Sequence, residues 1–354
     1  MRDIRSLEQT LALNLTWHKA RIKFVAAFVI ALLTVKNVNL VELACAFAGQ
    51  ANQESHYKKL QRFFRFFEIP CAELAHLLVK LLGVEGPWTL SLDRTNWQFG
   101  QTDLNILMLG IVHQGIAWPL VRVVLPKAGN SHTDERILVL EIFLDLFGKE
   151  QIECLLADRE FVGRDWLAWL RRHEINFHLR VRENFQVANA RGQFGEVRRL
   201  FRATRVNQPL LIAGPRRMWD EEWFFSGCYL GSGEYLILVS PTATADAVEQ
   251  YARRWEIETL FAALKTRGFC LEQTHLRDPE RLSRLLALLA LTFCWCHKVG
   301  EWLHAQQALK LNKYGRRPKS LFRRGFDHLR RLIVNFSRFD LAAWQLTIKL
   351  LSCT

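Results

Sequence analysis

Hydrophobic residues recur at helical spacing in the first part of the chain and merge into longer apolar runs. Leu7, Leu11 and Leu15 lie four positions apart, which predicts an amphipathic helix. The runs Phe24–Val35 and Leu285–Cys296 each contain 12 residues with a single Thr, whereas a membrane span needs about 20. We therefore expect both runs to form buried helices, and we expect no membrane span and no signal peptide.

Basic and aromatic residues alternate in the segment from Tyr57 to Phe67. A helix over this segment places its bases on one side and its apolar residues on the other, because side chains three and four positions apart share a face. The basic side comprises Lys58, Lys59, Arg62 and Arg65, and the apolar side comprises Leu60, Phe63, Phe64 and Phe67. Two interpretations stay open: a DNA-facing helix, or an amphipathic helix whose basic face is solvated.

The pattern changes after a turn-forming segment that ends at Pro87. It then predicts, in chain order, strands over Trp88–Leu92, 104–112 and 116–125, a helix over Thr133–Phe147, a strand over Ile152–Ala157, a helix over Trp166–His173 and a strand over Ile175–Val181. Asp93 and Asp158 directly follow two of these strands. Strand ends are where α/β proteins place reactive groups, although an Asp after a strand is often only a helix cap.

Glycine residues interrupt this rhythm between Asn184 and Val248, where short strand-like runs remain. The segment predicts a β-rich insertion. A long helix is expected next, from about Thr244 to Arg267, followed by the buried helix over 279–296.

One stripe of the long helix carries a phenol, two cations and a carboxylate. Its residues are Tyr251, Arg254, Glu258 and Lys265, and at 3.6 residues per turn they fall within an arc of about 60°. Apolar residues take the opposite side and predict the core-facing surface. Most charged stripes are solvated faces, but this one would hold Glu258 among cations and direct it wherever the strand ends point.

Composition and charge narrow the class of partner. The chain contains 48 Lys and Arg against 35 Asp and Glu, a net charge of +13, and the segment from Lys298 to Arg338 alone carries +9. This excess favours a polyanion, with nucleic acid first and an anionic membrane surface second. Half of the residues are hydrophobic, which excludes global disorder. The eight cysteines include no C-x-x-C pair, which argues against a zinc ribbon and against a disulfide framework.

Three motifs resemble the catalytic motifs of bacterial insertion-sequence transposases. They are Asp93-Arg94-Thr95-Asn96-Trp97, Ala157-Asp158-Arg159-Glu160-Phe161, and the Tyr-x2-Arg-x3-Glu-x6-Lys pattern of Tyr251, Arg254, Glu258 and Lys265. The subgroup is the insertion-sequence-four family with its Y-R-E-K signature, which includes the Tn-five and Tn-ten enzymes. The resemblance covers residues 88–300 and implies an RNase H-like catalytic core, α/β in class, interrupted by a β-rich insertion. The stretch Gly315–Arg323 is also similar to a C-terminal segment of these proteins.

The resemblance also implies roles for individual residues. The catalytic and metal-binding residues would be Asp93, Asp158 and Glu258. The residues that contact a DNA phosphate near the transposon 5′ end would be Tyr251, Arg254 and Lys265. The cofactor would be two Mg²⁺ ions, for which Mn²⁺ substitutes, because such an ion pair activates the attacking oxygen and stabilises the leaving oxygen in phosphodiester chemistry. Arg159 is a candidate supporting residue, and Glu160 is expected to be a solvated neighbour.

Some family members cut the second DNA strand through a hairpin and flip a base onto an aromatic residue of the insertion. Trp219 and Trp223 are the candidates here. The alternative is that both tryptophans belong to the core of the insertion.

The resulting prediction is a DNA transposase that binds terminal inverted repeats, cleaves the ends and joins 3′-hydroxyl groups to target DNA. Its predicted domains are a helical DNA-binding domain (1–85), the first part of the core (86–183), the insertion (184–248), the second part of the core (249–300) and a basic helical C-terminal segment (301–354). Double-stranded DNA and a second copy of the chain are the expected partners, in the bacterial cytoplasm at the nucleoid. The alternatives are a nuclease without strand transfer and an inactive or domesticated DNA-binding protein.

Overall fold

A computed structural model describes residues 4–313, 317–335 and 340–352. Outside these ranges lie Gly315 and Arg316 of the C-terminal stretch, and the last of the eight cysteines, Cys353.

Five helices form the first part of the described chain, as predicted. They are α1 Ile4–Asn14, α2 Lys19–Val35, α3 Leu40–Ala46, α4 Gln53–Phe66 and α5 Cys71–Leu82.

The helices α2 and α4 show how this first part packs. The apolar run of α2 is buried, and its Phe24 ring stacks on Phe63 of α4 with 3.8 Å between the ring centroids. The four bases of α4 lie on the opposite side and are all exposed. The predicted amphipathic helix is therefore confirmed, with its basic face turned to solvent.

Five strands and two helices follow in the predicted order. They are β1 Trp88–Phe99, β2 Thr102–His113, β3 Ile116–Leu125, α6 Thr133–Phe147, β4 Ile152–Ala157, α7 Arg164–Arg172 and β5 Phe177–Arg180, with short 3-10 helices at Lys149–Gln151 and Arg159–Phe161. The first three strands form an antiparallel meander. β1 and β4 pair in parallel, as do β4 and β5, because a helix returns the chain to the same end of the sheet before each of these later strands.

β1 continues to Phe99 instead of ending at Leu92, which corrects the predicted position of Asp93 at a strand end. The extension follows from the hairpin with β2, because the two strands stay paired as far as Phe99. The parallel pairing with β4 stops earlier, where Leu92 lies opposite Ala157. Asp93 therefore lies inside β1 at the point where its parallel neighbour ends.

The segment expected to be rich in β-structure contains six further strands and a 3-10 helix at Val197–Phe201. The strands are β6 Gln186–Ala188, β7 Phe194–Glu196, β8 Leu210–Leu211, β9 Arg216–Met218, β10 Glu221–Tyr229 and β11 Tyr235–Ser240. β11 pairs antiparallel with β5, so these strands extend the first sheet. The described strands form one sheet of order β3-β2-β1-β4-β5-β11-β10-β9-β6-β7, with β8 beside β10.

The single long helix predicted from Thr244 to Arg267 is wrong, because the structure divides it. α8 Ala247–Ala252 leads through a 3-10 turn, Arg253–Trp255, into α9 Glu256–Leu264. Two bonds to the sheet anchor this turn. The hydroxyl of Ser91 donates to the carbonyl oxygen of Arg254 at 3.5 Å, and the Arg253 guanidinium donates to the carbonyl oxygen of Val112 at 3.2 Å. These bonds attach the turn to β1 and β2, and α9 then packs against β3 and β1.

Three helices complete the described chain, after a 3-10 turn at Leu271–Gln273. They are α10 Pro279–Gln306, α11 Leu321–Val334 and α12 Asp340–Ser352. α10 begins as predicted, since the Asp278 side chain accepts a bond from the Arg281 backbone N–H at 2.9 Å. It packs against β3, α5 and α11 and is the central helix of the core.

Within the described ranges, α10 is long and apolar enough to cross a membrane, because an 18-residue apolar window of this helix has a mean hydropathy of 1.4. α2 and α3 pass the same test only when taken together, across a bend of 102°. Of the apolar window in α10, 83% of the residues are buried inside the protein. This burial agrees with the buried helix expected from the sequence.

Candidate active site

Two aspartates meet at the centre of the sheet. Leu92 and Ala157 are the last parallel pair between β1 and β4, and Asp93 and Asp158 are the next residues of the two chains. Asp93 is held by the continuing strand, whereas Asp158 leads into the 3-10 turn that follows β4. The register of the parallel pair therefore places the two carboxyl groups beside each other.

The Asp93 carboxyl is mostly buried, with 16% of its side chain exposed. Burial raises its pKa from 3.8 to about 6, against the opposing effects of the Arg94 backbone N–H and the Arg254 guanidinium. The Arg94 N–H donates to Oδ1 at 2.7 Å, and the negative charges of Glu160 and Asp158 raise the pKa further. The charged form of Asp93 is thus only partly compensated, and an added cation would stabilise it.

Arg254 joins two of the predicted catalytic carboxylates. One terminal nitrogen donates to Asp93 Oδ2 at 3.2 Å, and the other donates to Glu258 Oε1 at 2.6 Å. Arg254 and Glu258 are four positions apart across the turn into α9, so they share one side of it. Glu258 is the accessible member of the group, with 59% of its side chain exposed. One guanidinium therefore holds an inner and an outer carboxylate together.

Tyr251 connects the third carboxylate. Its hydroxyl donates to Asp158 Oδ1 at 3.4 Å, and the Arg254 guanidinium lies 5.8 Å from the centre of its ring. Burial raises the pKa of the phenol, so the hydroxyl keeps its proton and acts as a donor. Tyr251 and Arg254 together link all three carboxylates that the sequence singled out.

Lys265, the last residue of the predicted stripe, lies farther along β1. Its ammonium donates to the carbonyl oxygen of Asn96 at 2.9 Å and lies 3.0 Å from a carboxylate oxygen of Glu272. It also lies 5.5 Å from the centre of the Trp97 ring. Lys265 is thus held three residues beyond Asp93, on the strand that carries it.

A second arginine ties the two aspartate-bearing segments together, and the sequence analysis missed its role. Arg94 Nε donates to Glu160 Oε1 at 2.6 Å, and Arg136 donates to the Glu160 carbonyl oxygen at 2.9 Å. Glu160 is therefore a partly buried ion-pair partner and not a solvated neighbour. Arg159, the predicted supporting residue, is exposed. The sequence contained a signal for this ion pair, because Arg94 directly follows Asp93 and Glu160 lies two positions after Asp158.

The two tryptophans predicted for base stacking occupy different environments. Trp223 is 1% exposed, and the Arg171 guanidinium lies 3.6 Å from the centre of its ring. Its burial favours the alternative, a core residue, because a flipped base has no path to either ring face. Trp219 is half-buried and packs near Phe185, with 5.9 Å between the ring centroids.

An exposed aromatic residue neighbours Arg254 in the chain and lines a cavity beside the hairpin between β2 and β3. Trp255 directly follows Arg254, and 53% of its surface is exposed. It precedes Glu258 by three positions, so both side chains lie on neighbouring parts of the same helical surface. Trp255 was not predicted as a stacking residue, because the candidates for base stacking came from the insertion alone.

A basic groove begins near the far end of β1. It is a cavity of about 590 Å³ between α4, the start of α10 and the segment before α10. Its cationic lining residues are Lys58, Arg62, Arg65 and Arg281. Its aromatic lining includes Phe66 and His275, and the His275 ring lies 5.0 Å from that of Phe99 at the end of β1. The groove thus continues from the strand that holds Asp93 and the Lys265 contact.

A mixed α/β fold whose large sheet carries acidic residues where two parallel strands end is consistent with the DDE class of transposases. The family model described as "Transposase DDE domain" matches residues 88–295, more than half of the chain. The chain therefore belongs to the DDE transposase family. This membership assigns the chain to DNA transposition. Enzymes of this family cut DNA with the help of divalent metal ions.

Two further comparisons complete the picture. No curated protein matches the sequence. Among solved structures, the chain is similar to one titled "Cryo-EM structure of piggyBac transposase synaptic complex with hairpin DNA", at 10% sequence identity and a TM-score of 0.46. The similarity covers 98% of this chain and 82% of that one.

The donor set at the centre of the sheet suits a hard divalent cation. Mg²⁺ and Mn²⁺ prefer carboxylate oxygens over nitrogen and sulfur, and the site offers the carboxylates of Asp93, Asp158 and Glu258. The Arg254 guanidinium lies between Asp93 and Glu258, and among the described residues the three carboxylates do not gather within 4.8 Å of one another. The chemistry of the donors therefore fits the metal that the family uses, but their arrangement leaves Arg254 where a cation would have to enter.

Proposed function

We propose that this chain is a transposase of the Y-R-E-K group, the insertion-sequence-four family that includes the Tn-five and Tn-ten enzymes. It cleaves the ends of its own DNA element by phosphodiester hydrolysis and joins the freed 3′-hydroxyl groups to target DNA. The observation that carries this proposal is the linkage of the three carboxylates, in which Arg254 bonds Asp93 and Glu258 while Tyr251 bonds Asp158.

The carboxylates have distinct parts in this mechanism. Asp93 and Asp158 are the inner metal ligands, fixed by the strands, and Glu258 completes the site from the helix. Two Mg²⁺ ions, when bound there, would supply the activation of the attacking oxygen and the stabilisation of the leaving oxygen. Because Glu258 is exposed, its carboxylate can move without disturbing the core.

Arg254, Tyr251 and Lys265 bind DNA phosphate in this proposal. The Arg254 guanidinium pairs with both Asp93 and Glu258. A bound cation would take over part of that pairing, and the guanidinium would then be available for charge-assisted bonds with a phosphate. The protonated Tyr251 hydroxyl is a donor for the same group. Lys265 extends the binding surface along β1 toward the basic groove.

The basic groove is the proposed path of the DNA beside the active site. Cations on α4 and α10 would contact phosphates, and the exposed Phe66 offers an apolar surface to sugars and bases. The segment 1–85 then acts as the domain that binds the terminal inverted repeats, and the basic segment 301–354 adds further phosphate contacts. Residues 86–183 and 249–300 form the RNase H-like core around the insertion 184–248. Two copies of the chain hold the paired ends, at the nucleoid in the cytoplasm.

A hairpin step remains part of the proposal, with a changed stacking residue. With Trp223 buried, the tryptophans that a flipped base could reach are the half-buried Trp219 and the exposed Trp255. Trp255 is adjacent to a proposed phosphate ligand, so a base extruded next to that phosphate meets its ring. Stacking on an aromatic ring contributes about 1–3 kcal/mol per base, enough to offset much of the cost of extrusion.

The test is cleavage of DNA that carries the ends of the element, with purified protein and Mg²⁺. Glu258→Gln removes one charge from the site, and Glu249→Gln makes the same change at an exposed position of α8. We expect the wild type and Glu249→Gln to cut the ends and join them to target DNA, and Glu258→Gln to do neither. Hairpins are detected on a denaturing gel.

The two alternatives have their own outcomes in this assay. Cleavage without joined products would identify a nuclease that lacks strand transfer. Binding of end DNA without cleavage by any of the three proteins would identify an inactive DNA-binding protein. Equal cleavage by Glu258→Gln and wild type would overturn the assignment of Glu258.

A further inference from the structure

A second group of ligand-type side chains lies away from the three carboxylates. His113 ends β2, while His297 and Glu301 are one turn apart on α10. One ligand atom from each of the three lies within 4.8 Å of the others. β2 runs antiparallel to β1 with Met108 opposite Asp93, so His113, five residues farther on, is about 16 Å from Asp93 along the strand. The two groups are separate sites.

Both histidines face the same oxygen. His113 Nε2 lies 2.7 Å from Glu301 Oε1, and His297 Nε2 lies 3.1 Å from it. The other carboxylate oxygen, Oε2, faces the ammonium of Lys298 at 3.4 Å. Lys298 also donates to the Leu82 carbonyl oxygen at 2.9 Å, which holds it on that side. Oε1 and the two imidazole nitrogens are thus left converging on one point.

His297 is incompletely paired in this group. Its side chain is 0% exposed, and Nε2 has only the Glu301 carboxylate beside it, at 3.1 Å. Its Nδ1 has no hydrogen-bond partner although it is buried, which is unusual for a polar atom in the interior of a protein. The nearby Trp118 ring, 5.9 Å from that of His297, supplies no donor to it, since its indole N–H donates to the Leu78 carbonyl oxygen.

We propose that His113, His297 and Glu301 form a zinc-binding site. Two imidazole nitrogens and one carboxylate oxygen are a donor set that Zn²⁺ takes in proteins, with a fourth, open position. Tetrahedral ligands at zinc distances lie about 3.4 Å apart, so the nitrogens need only small displacements from their present positions. His297 lies in the lining of a cavity of about 840 Å³, but its side chain is 0% exposed, so the fourth ligand would be a water molecule enclosed beside the ring.

The site would fasten α10 to the hairpin between β2 and β3. That hairpin also supports the start of α9, where the buried Glu256 carboxylate accepts backbone bonds from His113 and Gly115. Zinc would therefore fix the position of the helix that carries Glu258, without touching substrate. Its role is structural, and it is independent of the proposed DNA chemistry.

The experiment uses the full-length protein after removal of metal with a chelator. Asp158→Asn with Glu258→Gln serves as the background, so that carboxylate binding at the active site does not contribute. Zn²⁺ is titrated against a fluorescent zinc chelator, and Co²⁺ is used as a spectroscopic probe. Glu301→Gln and His113→Gln test the site, and His76→Gln, on the exposed side of α5, is the matched control.

We expect one Zn²⁺ per chain in the background protein and in His76→Gln, and loss of that ion in the two site variants. Bound Co²⁺ should give the intense visible absorption of a four-coordinate site with nitrogen ligands, and Zn²⁺ should raise the Tm. Circular dichroism checks the fold of each variant. Absence of stoichiometric zinc, equal binding by the site variants, or only the weak Co²⁺ spectrum of six oxygen ligands would overturn the site. The Co²⁺ spectrum of the background protein decides the question even if the variants fail to fold.

Discussion

Arg254 has the most connected side chain of the candidate active site. It bonds the buried carboxylate of Asp93 and the exposed carboxylate of Glu258, and it lies beside the Tyr251 ring. Its charge compensates a group of acids that would otherwise repel one another. The same charge is what a DNA phosphate requires. A single residue can therefore serve the metal-free protein and its complex with DNA in turn.

Replacement of Arg254 by Gln tests this dual role. We expect cleavage of end DNA to fall about 100-fold, since one positioned donor to a reacting group contributes roughly that factor. The measurement is the single-turnover rate with Mg²⁺. Arg159→Gln is the control, because Arg159 is exposed beside the same site. An equal loss in both variants would show a general effect of charge and contradict a specific role for Arg254.

The raised pKa of Asp93 predicts a pH dependence of stability in the metal-free protein. The folded state binds this proton with a pKa of about 6, whereas the ordinary value is 3.8. The folded state therefore holds the proton more tightly, and the free energy of unfolding decreases as the pH rises from about 4 to about 6. Linkage sets the size of this decrease at no more than about 3 kcal/mol.

Asp93→Asn removes that titration. Relative to wild type, the variant should become more stable as the pH rises through this window and then keep a constant advantage above it. Urea unfolding in the presence of a metal chelator measures the difference. Asp145→Asn, at an exposed position of α6, should show no such trend. A difference between Asp93→Asn and wild type that does not change with pH would contradict the shifted pKa.

At the scale of elements, close approach of helices defines the C-terminal half of the core. A Cβ at Gly325 of α11 would collide with the carbonyl oxygen of Cys296 in α10, and one at Gly300 would collide with that of Leu321. Glycine is required at these positions by the contact between helices and not by an unusual backbone conformation. The two helices pack so closely at Gly300 and Gly325 that neither position has room for a side chain.

Gly325→Ala should therefore lower the free energy of unfolding by about 1–3 kcal/mol, the usual cost of overpacking. Gly163→Ala is the control, because a Cβ there meets no atom within 4 Å, and its effect should stay within about 0.5 kcal/mol. Thermal or urea unfolding gives both values. Equal stability of the two variants would show that α11 shifts freely against α10.

The basic face of α4 makes a prediction about DNA binding. Lys58, Arg62 and Arg65 line the groove, and each phosphate contact contributes about 0.9 to the slope of log affinity against log salt concentration. Changing all three to Gln should weaken binding and reduce that slope by about 2–3. Affinity is measured by fluorescence anisotropy over a range of salt concentrations.

A triple change to Gln at Arg191, Arg202 and Arg205 is the control for this experiment. These residues are exposed in the β-rich segment, away from the groove. If the control changes the slope as much as the α4 variant does, the DNA does not follow the groove.

At the scale of the whole molecule, one sheet organises both the candidate site and the β-rich segment. β11 returns to pair with β5, so the strands of the β-rich segment extend the same sheet before the chain enters α8. The central helix α10 then covers β3 and contacts α5 of the N-terminal part. α10 thus contacts both the N-terminal helices and the sheet. The basic groove lies between α4 and the start of α10, and it approaches the far end of the strand that carries Asp93 where His275 meets Phe99.

The sequence by itself determined the elements and the chemistry that is local to them. The apolar run of β4 ends where Asp158 begins, and the spacing of Arg254 and Glu258 matches one turn of helix, so both features could be predicted from neighbours along the chain. Hairpin pairing lengthened β1 past Asp93, and bonds to Ser91 and Val112 divided the long helix. Such contacts join residues far apart in the chain, and periodicity contains no information about them.

Only the tertiary structure decided which side chains meet. Tyr251 reaches Asp158 across 93 positions, and His113 meets Glu301 across 188. Burial of Trp223 and exposure of Trp255 were likewise decided by packing, since each tryptophan directly follows a charged residue in the sequence. Local patterns indicate which segments form helices and strands. The contacts of a side chain depend on how these helices and strands pack together, and their packing is determined by the whole chain.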